Sequence, residues 1–175
     1  MIKKLPKLIL TDIDGVWTDG GMYYLESNNE FNGEIKKFNT SDSAGIIFLK
    51  VLNIKTGIVT GETTKIVEHR SKKLKIDFLF QGVKNKHKVV EDLIKKLNIN
   101  FSDVAYIGDD INDLKLLRAV GFSACPNNSP EYIKSEVDKI MSKTGGDGVF
   151  REFVEFILIE TNNLELALSK TLEII

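Results

Sequence analysis

Apolar and polar positions alternate along this chain in two rhythms. Short apolar runs at Lys7 to Ile13, Ile54 to Thr60, Phe78 to Phe80, Val104 to Gly108 and Gly121 to Cys125 are bounded by Gly, Pro or Asp and read as buried strands. Between them lie stretches with helical spacing: Ser43 to Leu52 with Ser41 or Asp42 as N-cap, Thr63 to Leu74, Lys86 to Leu97, about Asn112 to Val120, Pro130 to Glu136 and Val149 to Ile159. Lys86 to Leu97 is the clearest, with Val89, Val90, Leu93, Ile94 and Leu97 on one face. Lys139 to Met141 reads as an edge strand, and Asn162 to Ile175 as a helix or loose tail. Strand and helix in alternation predict an α/β fold, a doubly wound parallel sheet with helices on both faces.

One segment breaks the rhythm. From Gly20 to Asn39, Met22 to Leu25 and Ile35 to Phe38 flank a turn-rich stretch that includes Ser27-Asn28-Asn29 and Asn32-Gly33-Glu34, which predicts an inserted β-hairpin. Lys36 and Lys37 read as charges that blunt its edge. The domain reading is a single unit over residues 1–160, with residues 161–175 as a C-terminal helix or tail.

Composition narrows the class. The 175 residues include 42% hydrophobic ones, enough for one core without disulfides. With 24 basic against 25 acidic residues the net charge is −1, which gives no general attraction to nucleic acid or an anionic membrane. No apolar run approaches the about 18 residues of a membrane span. The single cysteine, Cys125, lies in an apolar stretch and reads as a buried, inert thiol. These features predict a cytoplasmic protein. His69 and His87 sit in no metal-ligand spacing and read as surface residues.

In doubly wound sheets, ligands bind beyond the carboxyl ends of the strands. The chain places polar groups at several such ends. Asp12 and Asp14 follow Leu8-Ile9-Leu10, and two carboxylates that close require a cation or a shared proton. A hard divalent ion such as Mg²⁺, which prefers oxygen ligands, meets that need. Thr60-Gly61 closes the second strand and offers a hydroxyl and backbone N–H groups to a phosphate oxygen. Lys86 opens a helix and can neutralise a phosphoryl group. Gly108-Asp109-Asp110-Ile111-Asn112-Asp113 follows a further strand and can complete a metal shell. Trp17, beside the acidic motif, either lines the pocket or packs.

This quartet, in this order, resembles the haloacid dehalogenase-like phosphatase superfamily over roughly residues 7 to 160. The resemblance implies that Asp12 attacks phosphorus, that Asp14 protonates the leaving alkoxide and then activates water, and that Thr60 and Lys86 bind the transferring group. It implies Mg²⁺ on the Asp12 carboxylate, the Asp14 backbone carbonyl and Asp109, with Asp110 and Asp113 behind them. An acid two residues from the nucleophile can serve both half-reactions if it starts protonated. A phospho-acceptor receiver domain or a silent partner domain shares the sheet and the acidic cluster; Asp14 separates turnover from those alternatives.

Neither the stretch from Asp12 to Thr60 nor that from Thr60 to Lys86 has room for a cap domain. Within the superfamily the chain is similar to the small capless sugar-acid phosphatases. That similarity implies a homotetramer whose hairpins pair and whose subunits close one another's sites. The segment Gly145 to Glu152, including Arg151, is similar to the family's glycine-rich stretch before the last helix.

Two substrates compete: 2-keto-3-deoxynononate 9-phosphate, with the related acylneuraminate 9-phosphates, and 3-deoxy-D-manno-octulosonate 8-phosphate. The octulosonate branch typically carries arginine after Thr-Gly, where this chain has Glu62. The runs Thr11 to Met22, Phe38 to Gly45 and Phe80 to Val83 also resemble the nononate branch, and the reading follows that branch toward sialic-acid-type metabolism. Expected substrate contacts are Asn39, Thr40, Ser41, Asp42 and Ser43 in one loop, then Gly61, Glu62, Arg70, Lys73 and Asn112. Arg70 is the expected grip on the sugar-acid carboxylate.

Overall fold

A computed structural model of the protein describes residue 2, residues 4–27 and residues 30–174. The chain runs β1 (Leu8–Thr11), β2 (Tyr23–Ser27), β3 (Glu30–Ile35), α1 (Asp42–Val51), β4 (Lys55–Val59), α2 (Lys65–Leu74), β5 (Phe78–Phe80) and α3 (Lys86–Leu97). It continues through β6 (Val104–Ile107), α4 (Leu114–Leu117), β7 (Phe122–Cys125), α5 (Glu131–Lys134), β8 (Lys139–Ile140), α6 (Val149–Glu160) and α7 (Leu164–Leu172). Six strands form one parallel sheet in the order β5-β4-β1-β6-β7-β8, and β2 and β3 form a separate antiparallel ribbon. The doubly wound sheet with an inserted hairpin is the expected one.

The sheet divides two cores because strand side chains alternate. On β1, Ile9 enters the core shared with α1, α2, α6 and α7, while Leu8 and Leu10 enter the core shared with α3, α4 and α5. On β6, Ala105 and Ile107 face the first core and Val104 and Tyr106 the second. Central strands buried on both faces read as unbroken apolar runs for this reason. Trp17 is fully buried, packs its ring on Phe150 and donates to Thr11 Oγ1 at 3.0 Å, so it packs and does not line the pocket. Ala167 of α7 is buried in the same core as α1 and α6. Cys125 is buried, and burial raises its thiol pKa.

Several boundaries move for identifiable reasons. The strand at β1 ends at Thr11, two residues before the expected Ile13, so Asp12 and Asp14 leave the sheet on a turn. Helix α2 starts at Lys65 because Thr64 Oγ1 accepts the Val67 N–H as N-cap. Ser41 makes no side-chain cap bond to α1; the Asp42 carboxylate accepts the Arg151 N–H at the start of α6 instead. Helix α4 covers only Leu114–Leu117, since the Asp113 carboxylate turns back to the N–H groups of Asp109 and Asp110 and holds a turn there. In the hairpin, Gly33 and Glu34 lie within β3 opposite Leu25 and Tyr24, so they are strand and not turn. Asn28 and Asn29 lie outside the described residues. The second strand ends at Ile35, not Phe38, because Lys36 turns inward to Asp14. No described helix is long and apolar enough to cross a membrane.

Candidate active site

Asp12 follows the last residue of β1 and is 4% exposed. Its backbone N–H donates to the Ile107 carbonyl of β6, which fixes it at the middle of the sheet edge. Asp12 Oδ1 accepts the Ile13 N–H at 2.7 Å, and Oδ2 lies 2.7 Å from Lys86 Nζ. Lys86 is 1% exposed at the first position of α3. Burial works against its charge, but Asp12 and Asp113 outweigh that cost and its pKa is raised. A buried ammonium between two carboxylates is retained because removing either partner would strand a charge.

Asp113 has no exposure and is fully committed. Its Oδ1 takes Lys86 Nζ at 2.6 Å and the Tyr106 hydroxyl, and its Oδ2 takes the N–H groups of Asp109 at 3.0 Å and Asp110 at 3.2 Å. It holds the lysine and the acidic loop in place. Tyr106 lies on a buried strand and looks like core in the sequence; its hydroxyl anchors Asp113 all the same.

One cavity at the carboxyl edge is lined by Asp12, Asp14, Thr60, Gly61, Glu62, Asp109, Asp110 and Asn112, with Gly15 and Gly20. Thr60 is buried, and its backbone is pinned on both sides, by its N–H to Phe80 O and by Val83 N–H to its carbonyl. Asp14 Oδ1 accepts from Lys36 Nζ at 2.6 Å and Thr18 Oγ1 at 3.3 Å, while its buried Oδ2 has no protein partner. Burial disfavours the Lys36 charge, but bonds to Asp14 and Glu34 prevail and raise its pKa. The reading of Lys36 as an edge charge is therefore corrected: it is 8% exposed and belongs to the site, while its neighbour Lys37 is exposed.

The acidic groups fit a divalent cation. Carboxylate oxygens of Asp12, Asp109 and Asp113 lie within 4.8 Å of one another. Asp109 Oδ1 is buried with no partner. Burial first, then the neighbouring carboxylates, raise Asp12 to about 7 and Asp109 to about 8, so each carries an unfavourable charge that a cation would relieve. Each Asp113 oxygen already accepts two hydrogen bonds, whereas each Asp12 oxygen has one partner and Asp109 Oδ1 has none. Asp12 and Asp109 are therefore the side chains with lone pairs that could hold Mg²⁺, a hard ion that takes oxygen ligands. Gly15 leaves room for this. A Cβ there would lie 2.0 Å from Asp109 Oδ2, and its φ of +82° favours glycine. The glycine-rich stretch supports the same loop: a Cβ on Gly145 would lie 2.0 Å from the Gly15 carbonyl oxygen.

The family model for haloacid dehalogenase-like hydrolases matches residues 50–153. The chain belongs to this family. It is 37% identical over 153 residues to the 3-deoxy-D-manno-octulosonate 8-phosphate phosphatase of Haemophilus influenzae, covering 87% of this chain and 82% of that protein. A probable YrbI-family phosphatase from Pseudomonas syringae pv. phaseolica superposes with a TM-score of 0.90 at 41% identity, over 97% of this chain and 94% of that one. The 3-deoxy-D-manno-octulosonate 8-phosphate phosphatase of Moraxella catarrhalis, solved with magnesium, phosphate and KDO, superposes with a TM-score of 0.87 at 36% identity, over 94% and 92% of the two chains. This haloacid dehalogenase-like protein is a phosphoric monoester hydrolase, and the receiver-domain alternative is set aside.

Of the remaining candidates of the sequence reading, Asp110 lines the cavity and the others lie apart from it. Asp110 is exposed at its edge and accepts the Tyr132 hydroxyl at 2.9 Å. Asn39 Oδ1 accepts the Ser41 N–H, and Thr40 is exposed. Asp42 is buried, and burial raises its pKa to about 6 against the pull of the Arg151 N–H. Arg70 donates to Ser43 Oγ at 3.0 Å and to the Asn39 carbonyl at 3.4 Å, and stacks over Phe38. Lys73 is exposed on α2. Apart from Asp110, none of these lines the cavity with Asp12. His69 is exposed as expected, whereas His87 is half-buried and stacks on Phe101 at 5.0 Å, because the start of α3 packs against the loop before β6.

Proposed function

We propose that this hydrolase acts on a sugar-acid phosphate, 2-keto-3-deoxynononate 9-phosphate above others, through an aspartyl-phosphate on Asp12. The observation that carries the chemistry is the pairing of two carboxylates at one cavity. Asp12 is buried against Lys86 at the floor, and Asp14 stands two residues on with one oxygen unengaged. Asp12 attacks phosphorus, and the bond to the sugar oxygen breaks. Asp14 gives that oxygen its proton, then takes one from the water that attacks the acyl phosphate. Lys86 and Thr60 hold the phosphoryl oxygens. Asp12, Asp109 and the Asp14 carbonyl would hold Mg²⁺, whose positive charge would offset the negative charge of the phosphoryl group.

Glu62 supports the nine-carbon substrate. It lines the cavity where the resemblance puts arginine in the octulosonate branch, and its carboxylate can accept hydrogen bonds from additional sugar hydroxyls. The eight-carbon reading rests on the relatives, which are octulosonate phosphatases. Exposed Met22, Tyr23, Leu25 and Ile35 give the hairpin an apolar surface, which supports a homotetramer whose neighbours bring Asn39 to Ser43, Arg70 and Lys73 to the substrate. The reading places this chemistry in the cytoplasm. The test is kcat/KM with Mg²⁺ for the nine- and eight-carbon sugar-acid phosphates side by side. A preference for the nine-carbon ester is expected; the reverse would reassign the substrate to the octulosonate branch.

A further inference from the structure

The hairpin delivers a buried ammonium to the acid/base, and nothing about assembly requires that. Lys36 follows the last residue of β3, and its side chain is 1% exposed. Its Nζ lies 2.6 Å from Asp14 Oδ1 and 3.0 Å from Glu34 Oε1, on the ribbon itself. A lysine that served only to discourage edge pairing would extend into solvent, as Lys37 does. Lysine carries large rotamer entropy and a strongly hydrated charge, so burial at this point needs a compensating partner on each side.

The geometry divides the labour of the Asp14 carboxylate. Oδ1 is occupied by Lys36 and Thr18; Oδ2 is buried without a protein partner, on a side chain that lines the cavity. With Oδ1 tethered, rotation of the carboxyl group is restricted, and a proton on Oδ2 is held in one place. Glu34 engages Lys36 from the other side, so Lys36 meets Asp14 as an oriented donor and not as an uncompensated charge. We propose that Lys36 is a positioning residue that aims Asp14 Oδ2 at the leaving oxygen, which makes the hairpin part of the catalytic apparatus. The proposal rests on Asp14 as acid/base. In the step concerned, the bond from phosphorus to the ester oxygen breaks as phosphorus bonds to Asp12, and the Asp14 proton moves to the departing oxygen.

A leaving-group comparison tests this. kcat/KM reports the steps up to release of the alcohol, so it isolates that proton transfer from later hydrolysis of the intermediate. An alkyl phosphate needs the proton; p-nitrophenyl phosphate releases a stabilised phenolate and needs it far less. Lys36→Met is expected to lower kcat/KM for the alkyl ester by about tenfold to a hundredfold, part of what a positioned general acid contributes. The loss on p-nitrophenyl phosphate should be several times smaller, Lys36→Arg should recover part of the alkyl activity, and Glu34→Gln should show a weaker version of the same selectivity. Equal losses on both esters, or no loss on either, would overturn the role. If Lys36→Met does not fold by thermal melting, Lys36→Arg and Glu34→Gln carry the comparison alone. If the wild-type enzyme spares both sugar-acid phosphates but cleaves glycerol phosphate, the substrate proposal fails while the Lys36 comparison still runs on that ester.

Discussion

The floor and the rim of this site are built differently. At the floor, Asp12, Lys86 and Asp113 are almost wholly buried, and every oxygen of Asp113 is bonded by the protein. At the rim, Gly61, Glu62 and Asp110 are exposed, and Arg70 is bonded to its own loop. A floor held from several directions keeps reacting groups within the small tolerances that phosphoryl transfer demands. A rim whose side chains brace none of the floor groups can change its substrate without disturbing that chemistry. On the proposed function, the floor carries the reaction class and the rim the choice of sugar.

Predictions follow from this contrast in falling order of effect. Asp12→Asn removes the proposed nucleophile, and kcat should fall by at least about 10³-fold with a folded protein by circular dichroism; residual turnover within tenfold of wild type would move the nucleophile elsewhere. Gly15→Ala reaches the floor indirectly. Its Cβ would displace Asp109, so Mg²⁺ affinity by titration calorimetry should weaken about 10- to 100-fold, the range for groups that orient metal ligands. Unchanged affinity would show that Asp109 holds no metal. Glu62→Arg alters the rim only. The ratio of kcat/KM between nine- and eight-carbon esters should shift toward the eight-carbon one by about tenfold, equivalent to about 1.4 kcal/mol, with p-nitrophenyl phosphate little affected. An equal loss on all three esters would blur the division of floor from rim.

The smallest effect is on stability. Asp12 and Asp109 have folded pKa values raised to about 7 and about 8, above their unfolded values. Below about pH 4 they are protonated in both states; from there up to pH 7 to 8 the unfolded chain has released these protons while the folded chain still holds them, so stability falls as pH rises until the folded groups charge. Without metal, Tm should fall between pH 5 and pH 8, at about 2–4 °C per kcal/mol for a chain of this size. Mg²⁺ should restore it more at pH 8 than at pH 6, because protons compete for the same oxygens. A metal-free Tm that rises over that window would contradict the clustering of charge at the floor.

The two regions also differed in how legible they were. Asp12, Thr60, Lys86 and Asp109 could be read because each follows a buried apolar run or opens a periodic helix, and a doubly wound sheet sends all such ends to one edge. Lys36 could not. Its neighbours alternate as in a ribbon, and only the folded chain brings it to a residue 22 positions earlier. Tyr106 was hidden in a strand whose other residues are core, since a hydroxyl that bonds a buried carboxylate leaves no periodic trace.

Local patterns thus determined the order of strands and helices, the two-faced burial of the central strands and the set of groups at their tips, because periodicity and turn chemistry act over a few residues. Tertiary structure alone decided which oxygens those groups leave open. Whether Asp113 binds a metal or braces a lysine, whether Arg70 faces the cavity or its own loop, and whether Lys36 meets water or Asp14 depend on partners distant in sequence. Those partners are chosen by the cost of burying a charge, which is settled only when the chain has folded around it.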